Sequence, residues 1–118
     1  MLAVIFELEP IAESKQQYLD IAAQLGSELG NIDGFISIER FESLSQPGKL
    51  LSLSFWRDEA AISAWRNLEL HRSAQRAGRD HLFRDYRLRV GEVIRDYSLE
   101  QRASAPADSQ LSLLKSDA

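Results

Sequence analysis

The chain has 118 residues, enough for one domain and too few to join a dinucleotide-binding domain to a separate substrate domain. Its 44% hydrophobic and 27% charged residues exclude a disordered chain. The lack of cysteine excludes disulfides, thiolate nucleophiles and Cys-built metal sites, two histidines cannot alone build a zinc site, and a net charge of −4 argues against a dedicated nucleic-acid binder.

Residues 2–9 are rich in β-formers and stop at Pro10. No basic stretch precedes them and no small-residue cleavage site follows, so they read as a strand and not as a signal peptide. Val4, Phe6 and Leu8 share one face, and Ala3, Ile5 and Glu7 the other. Apolar side chains on both faces imply a strand covered on both sides, with Glu7 a carboxylate among apolar neighbours.

Residues 14–29 read as a helix with Ser14 as N-cap, an apolar stripe of Tyr18, Ile21, Leu25 and Leu29 widened by Ala22, and a stop at Gly30-Asn31. Residues 35–42 and 50–56 alternate as two strands. The turn signal Gln46-Pro47-Gly48-Lys49 joins them into an antiparallel hairpin. Asp58 caps a second helix whose stripe is Ala61, Ile62, Trp65 and Leu68. The stripe shifts at Leu68, which predicts a break or bend there before a helical stretch with His71, Ala74, Gln75, Gly78 and Leu82 on one face. From Phe83 to Tyr97 the period is two, predicting a long fourth strand. Residues 101–118 are polar and rich in Pro, Ala and Ser. They predict a flexible C-terminal tail beyond a domain spanning 1–100.

No apolar run approaches ~18 residues, so no membrane span is predicted and a cytoplasmic location is the default expectation. Residues 65–97 carry eight arginines against five acids, a net +3 that leaves −7 on the rest. Such a skew is either a solvated face or an anion-binding or self-association surface.

The order β-α-β-β-α-β is the ferredoxin-like arrangement of an α+β domain, an antiparallel sheet with helices on one face. Nothing remains to cover the other face, to which Ala3, Ile5, Phe35, Leu50 and Trp56 are assigned. An apolar face of that extent marks an interaction site, and the direct inference is a homodimer in which two sheets enclose a shared interior. Many functions use this topology. An RNP1-like aromatic run, a P-loop and a dinucleotide fingerprint are all missing, so RNA, ATP and NAD have no visible cradle.

The run Phe55-Trp56-Arg57-Asp58-Glu59-Ala60-Ala61-Ile62-Ser63-Ala64-Trp65-Arg66 resembles the strand–helix signature of the antibiotic-biosynthesis monooxygenase (ABM) superfamily. Ile32-Asp33-Gly34-Phe35, the stretch from His71 to Arg79 and Phe83-Arg84-Asp85-Tyr86 extend the likeness to residues 2–97. The resemblance implies a dimeric α+β barrel. It also implies chemistry of the kind found in cofactor-independent members, where deprotonating an electron-rich phenol or anthrone gives an anion that reduces O₂ directly. Such a protein binds a flat ring, removes a proton and holds the anion.

Trp65 stands at the position of a tryptophan often found in family pockets, and is either a wall for a flat substrate or the anchor of its helix stripe. His71 is the titratable group on the inner face of the following segment. It is either a general base or a structural histidine. Glu7 points toward the dimer interior, either as a base or as the ion-pair partner of Arg40, Arg87 or Arg89. Tyr86 is a candidate phenol donor near the pocket mouth and Arg79 a candidate anion holder, while His81 is placed at a helix end. Trp65 and His71 are six positions apart, about 240° around an unbroken helix, so they share a pocket only if the helix bends between them.

The haem-degrading subfamily uses an Asn on strand one, the helix-two Trp and a haem-ligating His ten residues beyond it. Here Glu7 and Gln75 occupy the first and last positions, and His71 lies one turn, roughly 6 Å, from the ligand position. Haem chemistry is therefore not expected. The reading is a homodimeric, cofactor-independent monooxygenase acting with O₂ on a small aromatic, phenolic or quinol-like compound, with no metal, no nucleic acid and no membrane. The alternative is a non-catalytic dimeric small-molecule binding or accessory protein.

Overall fold

The computed structural model describes residues 1–75 and 82–109, without the side chains of residues 69–75. Strand β1 (Leu2–Pro10) leads through a short 3₁₀ turn into helix α1 (Lys15–Leu29). Strands β2 (Phe35–Glu42) and β3 (Leu50–Trp56), helix α2 (Glu59–Gln75) and strand β4 (Phe83–Glu92) follow. The sheet order is β2-β3-β1-β4, and every neighbouring pair is antiparallel. This is the expected ferredoxin-like α+β arrangement.

Local chemistry sets the element ends. Lys49 N–H donates to the Gln46 carbonyl at 3.1 Å, and Gly48 has φ of 90°, as a turn with Pro47 second and Gly48 third requires. Asp58 caps α2 as expected, its Oδ1 accepting from the Ala61 N–H at 3.0 Å. Ser14 is not a side-chain cap: its own N–H is taken by the Ile11 carbonyl at 2.7 Å in the 3₁₀ turn. Helix α1 ends without a left-handed residue. Asn31 and Ile32 close it with bonds to the Glu28 and Leu29 carbonyls.

Helix α2 runs without interruption through Leu68 to Gln75, so the break expected there is absent. Nothing between Ala60 and Gln75 is Gly or Pro, and the stripe shift at Leu68 is absorbed by good helix formers. Strand β4 stops at Glu92 and not at Tyr97. Glu92 pairs with Leu2 and the Val93 N–H bonds the Met1 carbonyl, so beyond that point β1 offers no partner. Residues 96–105 then close a loop. The Ser104 hydroxyl donates to the Asp96 carbonyl at 2.7 Å and accepts from its N–H at 3.0 Å, and Arg102 lies over the Tyr97 ring. Residues 110–118, the rest of the expected tail, lie outside the described residues.

The face of β3 is the reverse of that expected. Register pairs Val4 with Ser54 and Ile5 with Leu53, so Leu50, Ser52, Ser54 and Trp56 look toward the helices. Trp56 is 0% exposed, and its indole N–H donates to the buried Ser54 hydroxyl at 2.8 Å. That bond satisfies both polar groups and lets a serine-bearing face sit inward. Phe35, Leu50 and Trp56 therefore belong to the helix side and not to the open face. The open face still carries half-buried Ala3, Ile5, Leu51, Leu53 and Phe55.

Where β3 passes into α2, Arg57 clamps two carboxylates, meeting Asp33 at 3.0 and 3.1 Å and Asp58 at 3.0 Å. The hydrogen bond from Arg57, then its charge, holds the Asp33 carboxyl below its ordinary range. The Ala61 N–H, then Arg57, does the same for Asp58. Because the folded values lie below the unfolded ones, this stabilisation is present above about pH 4 and is lost as pH falls through the lowered values. Stability measured by denaturation is expected to fall more steeply from neutral to acid pH for the native chain than for Arg57→Met. Equal slopes would remove the clamp from the acid response.

Candidate active site

Two clusters make up the helix-side core. Val4, Leu29, Trp56, Ala61 and Ile62 form one, with Trp65 packed against it; Leu8, Tyr18, Ala22 and Leu50 form the other, with Phe6 and Phe83. Their rows on β1, at Val4 and Leu8, are four residues or about 13 Å apart. Between them lies the row Ser52–Phe6–Leu88. Ser52 is buried, and its hydroxyl makes no hydrogen bond among the described residues.

On this same side β4 presents Tyr86, Leu88 and Val90, in register with Leu8, Phe6 and Val4. They are 62%, 45% and 44% exposed, an apolar strip continuous with the core yet open to water. Tyr86 stacks edge-on against Phe6 and Phe83, at 5.8 and 6.2 Å between centroids.

Trp65 comes from the second turn of α2, where the Asp58 cap and the buried Ala61 and Ile62 fix the helix against the sheet. Its ring packs on Trp56 at 5.6 Å with a 40° tilt. The Trp65 Nε1 is shielded from solvent and has no hydrogen-bond partner among the described residues. A buried donor without an acceptor costs about 1–3 kcal/mol, and so calls for a partner.

Glu7 lies on the opposite face. Its carboxylate meets Arg89 at 3.2 Å and Lys49 at 4.0 Å, beside a depression of about 240 Å³ that Glu9, Asp85 and Arg87 also line. Three acids and three bases share this depression, so their charges cancel. Trp65 and, by register, the Tyr86 side chain belong to the helix side and the Glu7 carboxylate to the other, although Leu8 and Tyr86 also border the depression beside Glu7. His71 is on the α2 backbone about 240° around the axis from Trp65, with no break to close that angle, and its side chain lies outside the described residues. Arg79 and His81 also lie outside them. Sequence reading missed Ser52 and Ser54; the signal was two hydroxyls in alternation on an otherwise apolar strand.

Among the described residues no three His, Cys, Asp or Glu side chains gather to hold a metal ion, and no helix is long and apolar enough to cross a membrane.

A four-stranded antiparallel sheet with two helices on one side defines a small ferredoxin-like α+β domain. The family model for antibiotic biosynthesis monooxygenases matches residues 1–77, and the chain belongs to that family. A jasmonate monooxygenase of Pyricularia oryzae is 54% identical over 93 residues, which is 79% of this chain but only 43% of that protein. The crystal structure of a protein from Deinococcus radiodurans assigned to the same family superposes with a TM-score of 0.70 at 20% identity, over 84% of this chain and 98% of that one. SnoaB, a cofactor-independent oxygenase of Streptomyces nogalater, superposes with a TM-score of 0.63 at 11% identity, over 80% and 94%. At such identities the two structures establish likeness of fold.

Proposed function

We propose that this chain is a monooxygenase domain, working as a homodimer, that oxidises a small ring-bearing oxygenated compound with O₂, the substrate supplying the electrons. The observation that carries the reading is the shielded Trp65 indole N–H, which has no acceptor among the described residues, on the side of the sheet where Tyr86, Leu88 and Val90 are exposed. A flat ring on that strip buries side chains that otherwise face water, and a substrate oxygen accepts the bond that Trp65 lacks. As the substrate loses a proton, negative charge builds on that oxygen. A fixed donor in apolar surroundings stabilises it more than water does.

The anion then reduces O₂. An activated CH₂ becomes a carbonyl, one oxygen atom stays in the product and the other leaves as water, so no outside reductant is consumed. The name of the P. oryzae relative adds a second substrate class, a cyclic ketone bearing a carboxylate. Oxygen insertion into an unactivated C–H bond of such a molecule takes two further electrons from a reductant. Oxygen uptake measured with anthrone, a quinol and jasmonate, each with and without reductant, separates the two classes. Trp65→Phe keeps a ring and removes the donor, and is expected to lower turnover roughly 10²–10³-fold with melting nearly unchanged. Unaltered turnover in this variant would remove Trp65 from the site.

A further inference from the structure

On the helix side, the edge of the sheet away from Tyr86 carries a polar pair that the site above does not use. Ile38 packs into the Trp56 cluster and Glu42 meets Lys15 of α1 at 3.6 Å, so Arg40, between them on β2, also faces the helices. Register sets Arg40 beside Ser52, with Cβ atoms about 5 Å apart. Arg40 is exposed and Ser52 is only 8% exposed, yet among the described residues neither side chain makes an ion pair or a hydrogen bond. A buried hydroxyl beside a guanidinium, both without an acceptor, calls for a ligand oxygen.

Helix α1 leaves room for one. Tyr18 turns toward β4, where it meets Phe83 at 5.4 Å, and Lys15 turns toward β2. Gly26 lies eleven residues, about three turns, beyond Lys15 and so on the same β2 flank. Along α1 it stands between Ala22, which packs with Leu50, and Leu29, which packs with Trp56; the stretch of β3 between those two holds Ser52. A Cβ at Gly26 would meet nothing within 4 Å, so packing does not demand glycine here. A mid-helix glycine weakens a helix relative to alanine, and what it supplies in return is open space beside Arg40 and Ser52.

We propose that Arg40 and Ser52 hold the carboxylate of the compound this protein oxidises, and that the substrate is therefore a ring carrying an acid group. This rests on the monooxygenase reading above and adds to it the substrate's charge and the end by which it is held. The planar guanidinium matches the two oxygens of a carboxylate, and the Ser52 hydroxyl donates a further bond. Glu42, next on the same face, is already matched by Lys15, so Arg40 is left to balance one negative charge and not the two of a phosphate. From Ser52 the row runs through Phe6 to Leu88 in the exposed apolar strip. Two strand spacings make that about 10 Å, the length of a two-ring acid lying with its carboxylate at Ser52 and its ring on the strip. Held at its acid end, such a ring has its orientation on the strip fixed.

The test uses 2-naphthylacetate and its amide, alike in shape and different in charge, with binding to the full chain measured by equilibrium dialysis at neutral pH. The native chain is expected to hold the acid roughly tenfold or more tighter than the amide. Arg40→Gln is expected to weaken the acid roughly 10–100-fold and to leave the amide unaltered. Arg40→Lys keeps the charge without the fork and is expected to recover part of that loss. Ser52→Ala is expected to weaken the acid about three- to tenfold with melting unchanged, because no protein group loses a bond. Gly26→Leu fills the space and is expected to exclude the acid while the chain melts at the native temperature or above. Equal affinity for acid and amide, no binding of either, or an Arg40→Gln chain that holds the acid as the native one does, overturns the proposal. Oxygen uptake with neutral ring compounds alongside such a result leaves the monooxygenase reading standing. Selection of the acid that depends on Arg40, in a chain that takes up oxygen with no ring compound, keeps the carboxylate site and removes that reading instead.

Discussion

Replacing Trp56 with alanine is expected to cost about 3–5 kcal/mol of stability, a large share of the ~5–15 kcal/mol typical of a small domain. The indole is fully buried at the end of β3. It packs against Phe35 at 5.2 Å and Trp65 at 5.6 Å, and bonds Ser54. Removing it opens a cavity between sheet and helices and strands the Ser54 hydroxyl, and Trp65 loses its backing. Urea unfolding measures the loss, with the slope expected to stay constant as the midpoint falls. Trp56→Phe retains most of the apolar contact and is expected to cost less than half as much. A near-neutral alanine variant would mean that Trp56 does not anchor the core.

Gly34→Ala is expected to cost about 2–4 kcal/mol, from two separate penalties. Gly34 has φ of 91°, the left-handed region in which a Cβ strains the backbone. A Cβ built there also lies 2.8 Å from the Ala61 Cβ and 3.3 Å from the Arg57 guanidinium. Neither backbone can give way easily, because the Gly34 carbonyl accepts the Arg57 N–H at 2.7 Å and Ala61 sits in the capped first turn of α2. A second change, Ala61→Gly, relieves the contact without relieving the dihedral. The double variant is expected to regain only part of the loss against the Ala61→Gly parent; full recovery would assign the whole effect to crowding.

Which parts of this fold could be read from residues alone follows from where the information sits. The bounds of β2, β3 and α1 agree with expectation because alternation, helical spacing and the Pro47-Gly48 turn are local signals. The face of β3 is not local. Leu51, Leu53 and Phe55 look more like core than Ser52 and Ser54 do, until Trp56 is seen to bond Ser54 and the register with β1 is fixed. The end of β4 is likewise set by a distant partner, the first residues of β1. Trp65 could be singled out from its position, but its lack of an acceptor among the described residues is a property of packing. The expected pairing of Trp65 with His71 depended on a change of direction near Leu68, where α2 continues as one helix. Glu7 meets one of the arginines named for it, Arg89.

The position of β1 bears on how the chain can reach this state. The strand made first lies inside the sheet, hydrogen-bonded on one side to residues 50–56 and on the other to residues 83–92. During synthesis it has no sheet partner until β3 emerges, and it is unpaired on one edge until β4 follows. The α1 helix and the β2–β3 hairpin close through short-range contacts and can form earlier, but the sheet waits for contacts spanning much of the domain. Such contacts make folding slow relative to helical proteins of this size, and leave Val4, Ile5 and Phe6 exposed to neighbouring chains in the interval. Substitutions that hasten closure of β4 onto β1 would therefore raise the yield of folded protein even where they leave its final stability unchanged.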